Sequence, residues 1–134
     1  MDAVKTMEAI RTHGKKVADD SQREVGSLRP GDYTAQGDVM FWFLDSLPDG
    51  CNPVPAVNQL APGTTKGSRH CIADLTHCEL FTRDNANVLQ GPIIRASEPF
   101  TVEHPEHGNQ VLPAGVWAVT YQRAHAKELR RVAD

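Results

Sequence analysis

Apolar and polar positions change rhythm near residue 30. Before it, Ala3, Met7, Ile10 and Val17 recur at spacings of four, three and seven, one narrow stripe of a helix. The flanks of the stripe are charged (Lys15, Lys16, Asp19, Asp20, Arg23, Glu24), and Gly14 weakens its middle. So thin a stripe packs lightly on its own domain or docks on a partner. The expectation is a helical arm with its linker over residues 1–30, broken by Pro30 and Gly31 as turn residues.

From Tyr33 onward the grammar is that of strands and turns. Val39–Leu44 reads V-M-F-W-F-L, six apolar residues without a polar member. A strand with one wet face would alternate, so both faces of this one are expected to be dry. Successive side chains point oppositely, which sets Phe41 and Phe43 on one face and Trp42 on the other. One face is expected to lie under the chain's own second sheet and the other at least partly under another subunit. L-P-D-G-C-N-P-V-P follows, with too much proline for a sheet interior. Residues 58–69 read as a polar loop. His70–Ala73 and Cys78–Thr82 read as a strand pair. Phe100–Glu103 and Gln110–Leu112 read as the arms of a hairpin around H-P-E-H-G, in which Pro105 suits a type I turn and Gly108 a left-handed closing residue. Val116–Gln122 alternates cleanly: Trp117, Val119 and Tyr121 on one face, Val116, Ala118 and Thr120 on the other. The tail from Ala124 suits a short helix. Many short strands at close turn spacing predict a mainly β domain over 31–134, a jelly roll or small β-sandwich or barrel, between an N-terminal helical arm and a short C-terminal helix.

Composition narrows the function classes. With 134 residues the chain is expected to form one domain, and 40% hydrophobic residues argue against wholesale disorder. A net charge of −3 lacks the basic excess of a nucleic-acid binder. The longest apolar run is far short of a membrane span. M-D-A-V-K-T-M-E-A-I lacks the pattern of a signal peptide, so the expected place of action is a cytoplasm or something assembled there. Cys51, Cys71 and Cys78 are an odd number without paired spacing, which points to reduced thiols and not to a disulfide framework.

Six histidines are the candidate chemistry. His70, His77, His104 and His107, with the neighbouring Cys71 and Cys78, could supply a zinc or iron site in a barrel mouth, as in cupin-like enzymes or small-ligand binders. H-C-x5-H-C offers one ligand per strand face at each pair, and no spacing forces convergence, so no metal and no cofactor are expected. No G-x-S-x-G elbow and no phosphate-loop spacing occur.

Q-G-D-V at 36–39, G-x-x-H at 67–70, H-P-E-H-G at 104–108, L-P-x-G at 112–115, Y-Q-R at 121–123 and R-R-V-A-D at 130–134 resemble, in that order, a set of small proteins of bacteria, plasmids and phages. In those the second motif usually reads T-G-H-A-H; here K-G-S-R-H keeps His70 alone of the pair. The chain also resembles, in size, β grammar and added arm, the jelly-roll cement (decoration) proteins on the heads of tailed bacteriophages. That resemblance implies a non-enzymatic virion protein, assembled in the host cytoplasm. It would bind the major capsid protein on the shell exterior, as a homodimer, without contacting nucleic acid or membrane. The expected interface residues are Met7 and Ile10 on the arm and Phe41, Trp42 and Phe43 on the apolar strand.

Overall fold

The structure is a computed structural model and describes residues 16–18, 28–61 and 68–122. They form ten strands: β1 Lys16–Ala18, β2 Tyr33–Gln36, β3 Val39–Leu44, β4 Cys51–Val54, β5 Cys71–Ile72, β6 Cys78–Arg83, β7 Gln90–Ala96, β8 Phe100–Glu103, β9 Gln110–Leu112 and β10 Gly115–Tyr121. A seven-stranded sheet has the order β1-β2-β3-β10-β7-β6-β4, and a three-stranded sheet the order β5-β8-β9. Every pairing is antiparallel except β1 with β2. The mainly β expectation holds, and among the described residues no α-helix occurs.

The arm departs from expectation where it is described. Lys16–Ala18 is a strand parallel to β2, with one irregularity in its register. The helical stripe there is too thin to stabilise a helix by packing, whereas the edge of β2 offers unpaired backbone groups that a neighbouring segment can satisfy. Met7, Ile10 and the expected C-terminal helix lie outside the described residues. The expected pairing of His70–Ala73 with Cys78–Thr82 is also corrected. β5 pairs with β8 in the small sheet, while β6 sits between β7 and β4 in the large one. The connection carries the chain from one sheet to the other instead of reversing it. Asp74 shapes it by accepting from the Thr76 amide at 2.9 Å.

β10 is central. It pairs with β3 from Val116↔Leu44 to Tyr121↔Val39, and with β7 on its other side. Its alternation is the one read from sequence. Trp117, Val119 and Tyr121 enter the main core with Val39, Phe41, Leu80 and Ile94, and with Ile72, Phe100, Val102 and Leu112 of the small sheet. Val116 and Ala118 join Trp42, Leu44, Phe81 and Ile93 in a second cluster on the opposite face. The proline-rich stretch forms β4, at a sheet edge, where Pro53 interrupts no ladder on its outer side. Next to it Arg83 is buried. Its Nη2 donates to Gly91 O at 2.7 Å and to Val119 O at 2.9 Å, beside an irregularity in β10 between Ala118 and Thr120.

Both faces of β3 are thus covered. Phe41 is fully buried in the main core, and Trp42 is buried in the second cluster. The Trp42 indole N–H donates to Thr120 Oγ1 at 2.8 Å, and its ring lies 4.5 Å from that of Tyr33. Phe43 is half-buried against Trp117, with ring centroids 5.1 Å apart. Phe41 and Trp42, expected at an interface, are covered by their own chain.

Candidate functional site

The polar residues of three separated motifs meet at one end of the molecule. β2 delivers Thr34 and Gln36, and the turn after it Gly37 and Asp38. His70 comes from the segment before β5. His104 and His107 come from the turn between β8 and β9, and Gln110 opens β9. Thr34, Gln36, His70 and Gln110 have no exposed surface, and His104 is buried with them.

The two buried glutamine amides here are each engaged at both ends. Gln36 Nε2 donates to Val102 O at 2.9 Å and to Gly108 O at 2.7 Å. Its Oε1 faces His70 Nδ1 at 2.8 Å. Gln110 Oε1 accepts from Thr34 Oγ1 at 2.9 Å, while its Nε2 donates to Ala35 O at 2.6 Å. These two amides stitch β2, on the large sheet, to the β8–β9 hairpin of the small one. Losing the Gln36 amide would take the donor from two backbone carbonyls and losing the Gln110 amide from one, at a cost of about 1–3 kcal/mol for each group left unsatisfied. His104 Nδ1 accepts from the amides of Glu106 and His107, both at 3.1 Å, and so caps its own turn. The imidazoles form a row: His70 to His104 at 4.3 Å, His104 to His107 at 4.7 Å between centroids. His70 Nε2 lies 3.5 Å from Asp38 Oδ1, whose side chain is partly exposed.

Two glycines with positive φ shape the site. Gly108 has φ of +74°, the left-handed closing residue expected from the sequence. Gly37, with φ of +60°, lies under the His107 ring; a Cβ there would sit 2.6 Å from the ring's Cδ2 and Nε2.

The four-histidine set is not assembled. The strand register puts His77, just before β6, at the Leu44 end of the sheet, whereas Gln36 and Asp38 flank the Val39 end. There His77 Nε2 lies 3.3 Å from Glu98 Oε2, both side chains largely exposed. Among the described residues no three His, Cys, Asp or Glu stand together in metal-binding geometry. Burial pushes the thiols of Cys51, Cys71 and Cys78 above their ordinary value, which lowers the thiolate fraction at neutral pH.

Sequence reasoning singled out His70, His104 and His107 but gave no role to Gln36, Thr34 or Gln110. Gln110 did carry a signal. In strand alternation it shares a face with Leu112, so it is a polar residue on an apolar face.

Fold and site together define a mainly β protein whose two sheets are tied by a buried glutamine–histidine junction. Residues 35–122 match the family described as a domain of unknown function, DUF8820, and the chain belongs to that family. The match spans the junction from Gln36 to Gln110. No curated protein and no solved structure matches the chain.

Proposed function

We propose that the chain is a non-enzymatic structural protein, a β clamp that binds and stabilises an assembled shell as the cement proteins of tailed-phage heads do. The observation that carries this reading is how the junction uses its side chains. Gln36 and Gln110 are engaged at both ends of their amides, and His70 and His104 are turned onto Gln36 and onto a backbone turn. A catalytic constellation keeps a nucleophile or base directed at a place where a reacting atom can sit. Here the polar groups serve the rigidity of the body instead, and burial works against the thiols as nucleophiles.

In this reading the two sheets form a sandwich of the jelly-roll kind, supported by a core that draws on both. The partner is the major capsid protein on the shell exterior, and a second copy of the chain completes a dimer. Contacts fall to the arm with Met7 and Ile10 and to the loop valines Val57 and Val88, the large apolar side chains most exposed among the described residues. A clamp that binds the assembled shell and not its dissociated subunits stabilises assembly by mass action.

The test is fractionation of a lysate of the native host on a sucrose gradient, with the chain carrying an epitope tag. The protein should travel with virus-sized particles and leave them when residues 1–24 are deleted. Sedimentation wholly as a small soluble species, in cells that contain such particles, would overturn the reading.

A further inference from the structure

In addition to the backbone bond from Gly108 N–H to His104 O at 3.1 Å, the His104 ring can hold its turn only while Nδ1 carries no proton. Two backbone N–H groups, those of Glu106 and His107, converge on that nitrogen at 3.1 Å each. A neutral imidazole protonated on Nε2 offers a lone pair there. An imidazolium has N–H on both nitrogens and offers none. His70 has the opposite surroundings. Gln36 commits its NH2 to two carbonyls, so Oε1 is the atom that faces His70 Nδ1, and that nitrogen donates. On the other side of the ring, Nε2 lies 3.5 Å from the Asp38 carboxylate. His70 therefore has an acceptor beside each nitrogen. A charged His104, stacked 4.3 Å away, would instead meet two N–H donors at Nδ1.

The remaining groups leave this contrast standing. Among the described residues, the β8–β9 turn supplies His107, stacked on His104 from the other side, and the exposed Glu106. β8 supplies the exposed Glu103, the segment before β5 the exposed Arg69, and the β2–β3 turn Asp38. The residues that reach in from β2 and β9 (Thr34, Gln36 and Gln110) are uncharged.

We propose that the 104–108 turn is an acid-released latch. As pH falls through the histidine range, near about 6.5 for an unperturbed imidazole, His104 takes a proton on Nδ1. Both bonds from the turn amides to the ring are then lost, which leaves the Gly108 N–H to His104 O bond alone across the turn. The Gly108 carbonyl moves off Gln36, and the tip of the β8–β9 hairpin separates from β2 while the large sheet stays intact.

Amide exchange measured by NMR on the full chain at pH 7.5 and pH 5.0, corrected for intrinsic rates, reads this directly. The Glu106 and His107 amides should lose at least tenfold in protection at the lower pH, with the β10 amides unchanged. His104→Asn supplies the control. Its Oδ1 is bonded to the same γ carbon as the histidine Nδ1 and accepts from the same two amides as an Asx turn, but it does not titrate. H104N should protect both amides equally at the two pH values; if it does not fold, the wild-type measurement decides. Equal wild-type protection at both pH values, loss spread over β10 as well, or a folded H104N that opens in acid like the wild type would each overturn the latch.

Discussion

Tyr121 couples the main core to solvent pH through one hydroxyl. It donates to Leu60 O at 2.8 Å. Burial pushes its phenol up to about 12, and the nearby Arg83 guanidinium pulls the other way without cancelling it. An unfolded tyrosine releases its proton near about pH 10. Above that pH the unfolded chain loses the proton first and folding is disfavoured. The contribution of Tyr121 is therefore complete below about pH 10 and disappears as pH rises through about 12. Urea denaturation across this range should show stability falling in that window. Tyr121→Phe should flatten the fall and cost about 1 kcal/mol at neutral pH for the lost hydrogen bond. If wild type and variant give superimposable alkaline profiles, the sensitivity has another source.

At the scale of the element, β3 separates two aromatic neighbours by what covers them. Trp42 is buried and its indole N–H is bonded, so Trp42→Ser leaves a cavity and takes the donor from the half-buried Thr120 hydroxyl. The expected cost is about 3–5 kcal/mol. Phe43 keeps part of its ring in solvent, and Phe43→Ser should cost roughly half as much. Chemical denaturation of the two variants side by side checks the difference; equal losses would contradict the burial on which it rests. The same strands show what the sequence made legible. The faces of β10 could be read because its alternation has a period of two and its flanking turns are marked by glycine and proline. The H-P-E-H-G turn could be read because only a small residue closes it in the left-handed region. β3 resisted, since a run apolar on both faces does not say whether its cover is the same chain or another. The pairing of β5 resisted because two residues carry too little pattern to name a neighbour. The junction was visible as motifs but not as a place: Gln36 meets His70 across 34 residues and Val102 across 66. Periodicity within a strand does not say which distant strand ends meet.

For the whole molecule, the weight of the fold lies between β2 and β10. The family match begins at residue 35, and β1 adds three residues to one sheet edge. Deleting residues 1–27 should therefore leave a single cooperative thermal transition by circular dichroism, lowered by roughly 5 °C for the loss of about 1 kcal/mol at that edge. A truncated chain without a cooperative transition would make β1 part of the folding unit. The central place of β10 carries a further consequence, for the order in which the chain is made. β2–β3 and β6–β7 can each pair as soon as they are synthesised, being neighbours along the chain. They cannot join into one sheet, because the strand that lies between β3 and β7 is the last of the ten. Until residue 121 is free of the ribosome, the Val39–Leu44 run has an open edge and uncovered faces. Folding of the body for that reason waits for β10 and is slow, since its central contacts close nearly the longest loop the domain allows. The interval before β10 arrives is when the nascent chain is most exposed to wrong strand partners and most dependent on chaperones.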